Sequence, residues 1–466
     1  MNQEPVDLGS PSQHAKSRPL FEWMRHTLGL DRAILFTIFG RGWSSIAGLV
    51  TVTLIARFLS PAEQGYYYTF GSLVALQIVF ELGFSYVILQ MASHERAHLS
   101  ISSDNIVTGD VVAHGRLASV LQKAVRWYSV AAVLMAIVLV PTGMAFFNSH
   151  QHSSQSVSWR FPWCFAVLAA SLNFQLDPLL SFLEGCGFVA NVARLRFVQA
   201  VVGSLLAWAV LITNNGLFAP GMVLSGTALT AAVWLLGKRK LLFGLMRFQP
   251  GANRIQWRTE AWHFQWKIAV SWICGYFIFQ LFNPVLFAFR GPISAGQMGM
   301  SLSLASALQS VSISWINTKS APFGSMIARK EYARLDQVFF KALKQSLAVC
   351  IVGAFAIWIG SVYLNHENIP FAHRLLSPLP LGFLLVATML NSIVSAEALY
   401  LRAHKQEKFL LNSVLGALLI ASSTYWFGKL FGAIGMVSGY LAVVVLMGLP
   451  LGTFTFFKYR KIWHEG

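Results

Sequence analysis

Apolar runs long enough to cross a bilayer follow one another along almost the whole chain, and that alternation with short polar turns leaves few folds open. A helix rising 1.5 Å per residue needs roughly 20 predominantly apolar residues to span the hydrocarbon core. About twelve segments meet that requirement: 33–56, 65–91, 119–147, 161–183, 195–213 and 217–236 in the first half, and 264–288, 293–316, 346–364, 379–401, 409–427 and 431–457 in the second. The first two are joined by one compact turn, from Arg57 to Gly65, and each carries a charge within its apolar length, Arg41 and Glu81. A hairpin of this kind is not a soluble core. It predicts an all-α polytopic membrane protein with a polar path through it.

Composition agrees. Only 11% of the 466 residues are charged and 55% are hydrophobic, with a mean hydropathy of +0.57; soluble domains carry about 25% charged residues. The net charge of +17 does not point to nucleic acid, because the basic residues lie in short loops between apolar spans. With the amino terminus placed inside, 29 of the 35 Lys and Arg residues fall on the inner side. The outer turns hold Arg57, Arg160, Arg290, Arg374 and Lys429. That asymmetry places both termini in the cytoplasm. Residues 1–30 have no early apolar core and no small-residue cleavage site, so they read as a cytoplasmic tail.

Cys164, Cys186, Cys274 and Cys350 lie in or beside apolar spans and are expected to be free thiols. His150, His152 and the other histidines are scattered in loops, so no metal site is expected. No Gly-x-x-x-x-Gly-Lys-Ser/Thr run occurs, so the chain carries no ATPase loop of its own, and no cofactor is expected.

The chain repeats itself. Arg116–Arg126, before the third span, matches Arg334–Lys344, before the ninth, at five of eleven positions with a shift of 218 residues. The turn at Pro61–Gly65 has a counterpart at Ser294–Gly299. The expected architecture is therefore two six-helix bundles related by a pseudo-twofold along the membrane normal, a layout that flanks a central cavity and alternates its open side. The boundaries are a tail at 1–30, a first bundle at 31–236, a basic linker at 237–262, a second bundle at 263–457 and a tail at 458–466. Segments 99–123 and 323–344 are amphipathic and basic, and are expected to lie on the inner membrane surface against anionic lipid.

Ionisable side chains inside a membrane usually have a partner or a wet cavity. Arg41, Glu81 and Asp177 sit at similar depth, a little to the cytoplasmic side of the midplane, and Glu397 lies nearer the inner edge of the tenth span. Arg41 suits an anionic head group, with a carboxylate tuning it or binding a coupling cation. A structural Arg41–Glu81 pair is the competing reading. Pro178 frees a backbone carbonyl beside Asp177 that suits a cation. Arg57 and Arg290, at equivalent outer ends of spans one and seven, form a basic pair at the outer mouth or snorkel to head groups.

The turn bearing Arg57, Leu59, Pro61, Gly65 and Tyr66, followed by Glu81, Leu82 and Gly83, resembles the opening hairpin of polysaccharide exporters. So does the stretch from Ala321, Pro322 and Phe323 to Ala328, Arg329, Glu331, Tyr332 and Leu335, which is similar to their loop after helix eight. These exporters belong to the multidrug/oligosaccharidyl-lipid/polysaccharide exporter superfamily. The resemblance implies a Wzx-type flippase in the bacterial inner membrane, moving undecaprenyl-pyrophosphate-linked oligosaccharide by alternating access for O-antigen or other surface polysaccharide. It implies that the pyrophosphate sits near Arg41, Lys267 or the mouth at Arg57 and Arg290. H⁺ or Na⁺ coupling falls to Glu81, Asp177 and Glu397. A polymerase and a chain-length regulator are the protein partners it suggests, beside membrane lipids. Two rivals remain open: a cation-coupled drug antiporter of the same superfamily, using Asp177 and Glu81, and a membrane enzyme of lipid-linked glycan assembly. Short outer loops bearing only Glu63 and Glu367 speak against the enzyme.

Overall fold

A computed structural model describes residues 32–102, 106–150, 157–251, 253–404 and 408–465. The expected tail at 1–30 and His152 lie outside the described residues.

The described residues form long helices. Spans one and three to six are Arg32–Phe58, Val111–Ser149, Arg160–Gly185, Val189–Ile212 and Ala219–Leu236. The second span is a broken one, Pro61–Glu81 followed by Phe84–Arg96, bent by 46°. Its bend falls at Leu82 and Gly83, both left-handed with φ of 51° and 68°. In the second half, Tyr332–His366 and Pro378–Ala403 are spans nine and ten. Two apolar runs, Gln265–Ala328 and Leu410–His464, hold 64 and 55 residues. At 1.5 Å per residue either would reach about 80–95 Å, far beyond a hydrocarbon core of about 30 Å. Each folds back at a glycine that leaves helical geometry, Gly291 (φ 83°, ψ 176°) and Gly432 (φ 68°, ψ −145°). These glycines divide the runs into spans seven (262–290), eight (292–317), eleven (410–431) and twelve (433–465), giving twelve among the described residues.

Spans one to six pack on one another, as do spans seven to twelve. The bundles meet chiefly where the second span crosses the eighth.

Two expectations change. Segment 99–123 is not a surface helix. Leu99–Ile101 and Val107–Gly109 pair as an antiparallel ribbon, with Ser100 opposite Thr108. Asp110 then caps a continuous 39-residue helix by accepting a hydrogen bond from the Ala113 amide, so 111–123 prolongs the third span out of the membrane. The ninth span likewise starts at Tyr332, leaving only Ser320–Ala328 as a separate short helix. The two copies of the internal repeat thus open two long helices. Their apolar faces are buried by protein rather than lipid: Leu117 and Leu121 in the first copy, Leu335 and Phe339 in the second.

The linker is held to the first bundle. Gln122 donates to the carbonyls of Leu245, Met246 and Phe248 (3.1, 3.2 and 2.8 Å), closing the end of the amphipathic helix Arg239–Arg247. Trp257 stacks on Phe84 at 4.4 Å. Arg116 bridges Glu95 (2.8 Å) and Glu260 (2.5 Å).

Candidate functional site

The outer side of the bundle interface is closed by glycine packing. Ser60 caps the second span, accepting from the Glu63 amide while the Glu63 carboxylate accepts from the Ser60 amide, and Pro61 occupies the first turn. This reciprocal cap fixes the hairpin's angle. It sets Gly65 so tightly against the eighth span that a Cβ there would lie 1.9 Å from the Pro292 carbonyl oxygen. A Cβ on Gly296 would lie 2.9 Å from the Gly65 nitrogen. The turns related by the internal repeat therefore interlock.

A polar clasp crosses this seam. Gln64, 1% exposed, donates to the carbonyls of Gly296 (2.9 Å) and Arg374 (3.0 Å). The Arg374 guanidinium, from the outer loop between spans nine and ten, donates to the Leu59 carbonyl (2.6 Å) and to Gln64 Oε1 (3.3 Å). Below it lies an aromatic plug in which Tyr66 meets Phe287 at 4.9 Å and Phe147 at 5.3 Å, with Phe70 and Trp163 behind. Deeper still, Asn283 donates to Ser72 (3.0 Å) and Ser72 to Gln280 (3.4 Å), joining the second span to the break in the seventh.

On the other side of this roof a cavity of about 1510 Å³ opens between the second and seventh spans. Ala75, Ile78, Tyr86 and Gln90 line one wall, and Lys267, Ser271, Trp272, Tyr276, Phe279 and Gln280 the other. Arg402 and Lys408, beside the turn between spans ten and eleven, complete its mouth. Three basic side chains and several rings face this space, and among the described residues no carboxylate does. The bundles are thus sealed on the side away from the linker and parted on the side of the linker.

Of the residues singled out from sequence, Lys267 lines the cavity. Arg41 does not: its side chain is exposed on the first span, which packs on the fifth through Trp43 and Ser204. No ion pair joins Arg41 to Glu81 among the described residues, and that structural pairing is corrected. Arg57 is exposed, its guanidinium 5.6 Å from the Phe58 ring. Arg290 donates to the carbonyls of Lys429 and Leu430 (3.2 and 2.8 Å), closing the turn between spans eleven and twelve. The outer-mouth pair of Arg57 and Arg290 therefore does not form.

Glu81 and Asp177 both belong to the first bundle, on its second and fourth spans. Ser85, four residues beyond Glu81, has its hydroxyl 2.8 Å from that of Tyr128. Arg196, on the neighbouring fifth span, pairs with Glu184 at 2.9 Å. Glu397, 3% exposed, is not at the interface: it accepts from Thr453 (2.9 Å) within the second bundle, and its other oxygen has no hydrogen-bond partner. The four cysteines are free. Among the described residues no group of three or more His, Cys, Asp or Glu side chains is placed to hold a metal ion.

Sequence reading missed Arg402 and Lys408, which count only as inner-loop positive charge. It also missed the clasp. Arg374 is the one basic residue of its outer loop, but nothing local says that it reaches a hairpin over 300 residues away.

No family model and no curated protein sequence matches the chain. Solved structures match its architecture. An inward-facing multidrug resistance MATE family transporter of the MOP superfamily aligns with a TM-score of 0.60 at 12% identity, over 91% of this chain and 99% of that one. The MATE multidrug transporter DinF-BH aligns at 0.59 and 11% identity, over 98% and 99%. The lipid II flippase MurJ, in an inward closed conformation, aligns at 0.54 and 15% identity, over 92% and 90%. The chain has the fold shared by these transporters and flippases: an all-α, multi-pass, two-bundle membrane architecture.

Proposed function

We propose that this protein is a Wzx-type flippase that carries undecaprenyl-pyrophosphate-linked oligosaccharide repeat units across the bacterial inner membrane, both termini cytoplasmic, for O-antigen or other surface polysaccharide. The observation that carries this reading is the inner cavity. Its volume of about 1510 Å³ exceeds the roughly 300–1,000 Å³ of drug-sized sites. Its mouth is basic and its walls aromatic. Lys267, Arg402 and Lys408 suit a pyrophosphate, and Tyr86, Trp272 and Tyr276 offer flat apolar faces to sugar rings.

The head group enters from the inner leaflet while the lipid tail stays in the bilayer. The bundles then rock: the Arg374 clasp and the glycine seam part, and the cavity opens outward. The carboxylates Glu81 and Asp177 couple this to an H⁺ or Na⁺ gradient, with Glu397 a further candidate. Charge-neutral substitution of both (Glu81→Gln with Asp177→Asn) is expected to leave head-group binding intact and abolish the gradient dependence of transport. Full gradient-driven transport by that variant removes the coupling role. A polymerase and a chain-length regulator are natural partners.

The test is depletion in the native host, with lipid-linked oligosaccharides assayed for accessibility in spheroplasts. Repeat units trapped on the cytoplasmic leaflet are expected. Units that reach the outer leaflet but stay unpolymerised would instead assign an enzyme of glycan assembly. The cation-coupled drug antiporter is favoured by one observation, the two carboxylates Glu81 and Asp177 carried within the first bundle, and predicts unchanged lipid-linked glycans with lost export of organic cations.

A further inference from the structure

The inner cavity has a side chamber. A pocket of about 300 Å³ lies wholly within the second bundle, walled by spans seven, ten, eleven and twelve. It shares Ser271, Gly275, Phe279 and Arg402 with the main cavity, so it is reached from there. Its chemistry differs. Beyond Arg402 at the shared rim, the lining holds no charged group among the described residues; Asn391, Ser395, Asn412, Ser413 and Tyr440 supply its polar atoms.

One of these is left unsatisfied. Asn412 is 9% exposed and donates to the Gly448 carbonyl (3.3 Å), while its Oδ1 has no hydrogen-bond partner. A buried acceptor of this kind calls for a ligand or a water. Across the pocket, Asn391 donates to the Tyr440 hydroxyl at 3.4 Å, a long bond that leaves both groups available. The twelfth span opens into a π-helical turn, Val444–Gly448, along the same wall; such turns often mark functional sites in helices.

A pocket without internal charge does not select an anion, and one without a carboxylate does not select an organic cation. Amides and hydroxyls with both donors and acceptors, beside the rings of Phe409, Phe279 and Tyr440, match a pyranose: hydroxyls on its rim, C–H groups on its faces. The volume, at the lower end for small-molecule sites, admits one such ring and not an oligosaccharide. We infer that this chamber is a sugar subsite that takes one uncharged glycosyl residue of the substrate while the anionic head group occupies Lys267, Arg402 and Lys408. The inference rests on the flippase reading and narrows it: the repeat unit carries a neutral sugar within reach of its pyrophosphate.

Titration calorimetry on the full-length protein in nanodiscs tests this, with methyl glucoside and methyl N-acetylglucosaminide as neutral probes, glucuronate as an acidic one, and inorganic pyrophosphate. Asn412→Leu is expected to weaken a neutral glycoside at least about tenfold and to leave pyrophosphate unchanged, with Lys267→Ala giving the reverse pattern. Ser413→Ala, a smaller change, is expected to weaken the glycoside in the same direction and serves if Asn412→Leu does not fold. The inference is overturned if neither glycoside binds the wild type or if Asn412→Leu and Ser413→Ala leave glycoside binding unchanged. It is also overturned if glucuronate binds as well as the neutral sugars, or if Na⁺ alone gives the Asn412-dependent heat. Loss of pyrophosphate binding with glycoside binding retained would count against the head-group site and spare the chamber.

Discussion

Arg374 illustrates how one side chain ties the two bundles. Its guanidinium ends a helix of the first bundle at the Leu59 carbonyl and braces Gln64, which in turn donates to the Gly296 carbonyl in the eighth span. Hydrogen bonds to charged groups contribute about 1.5–3 kcal/mol each, so Arg374→Ala should shift the population toward an outward-open state by about tenfold or more. Ser72 lies 2% exposed beneath the roof, and a cysteine in its place should then react faster with an impermeant reagent added from outside. An unchanged rate would mean that the clasp does not hold the seam. Arg41 shows the opposite case. Its depth could be read from the rise per residue, but its direction could not. The first span is apolar around most of its circumference, so no stripe betrays which face meets the fifth span. Glu81 and Asp177 were legible as membrane carboxylates, but the nearby bond between the hydroxyls of Ser85 and Tyr128 was not, since it joins residues 43 positions apart.

Helix ends and breaks decide how the elements work. The sequence Ser60-Pro61-Ala62-Glu63 announces its own cap, and the hairpin forms as that cap requires. Gly65→Ala adds a Cβ that meets backbone at Pro292 rather than a movable side chain. Overpacking of that kind costs about 1–3 kcal/mol, so the outer seam should gape and outside labelling at position 72 should rise as for Arg374→Ala. The extension of the third span was hidden because residues 111–123 are amphipathic either way; what buries their apolar face is the linker, which only the folded chain supplies. That attachment has a pH signature. The Arg116 guanidinium beside Glu260 holds its carboxyl below the ordinary value of 4.5. A depressed carboxylate stabilises above its unfolded pKa and loses that contribution as pH falls through the folded one. Amide protection in 248–260 should therefore stay level from neutral pH to about 5 and drop only below about 4. Arg116→Ala should loosen the linker already at neutral pH. A fall in protection centred near pH 6.5 would assign the attachment to a histidine instead, such as His114, stacked on Phe248 at 4.2 Å, or His94, 3.7 Å from Glu95.

At the scale of the molecule, the twelve crossings, the two bundles and the repeat were all legible, because lipid imposes a length on every span and a charge bias on every loop. The state of the machine was not. Closure on one side and opening on the side of the linker depend on contacts between residues hundreds of positions apart, such as Gln64 with Gly296 and Ser72 with Asn283. The proposed substrate path rests on that asymmetry: a basic, aromatic cavity opens on the side of the linker, beneath a roof that has to part for transport. The decisive measurement is translocation in proteoliposomes that contain the purified protein and a polyprenyl-pyrophosphate oligosaccharide in the inner leaflet, followed by cleavage with a glycosidase added outside. The wild type should bring the glycan within reach of the enzyme, and the double variant Lys267→Ala, Arg402→Ala should slow this at least about tenfold. A glycan that stays inaccessible with the wild type, in vesicles that do transport a cationic dye, would contradict the account.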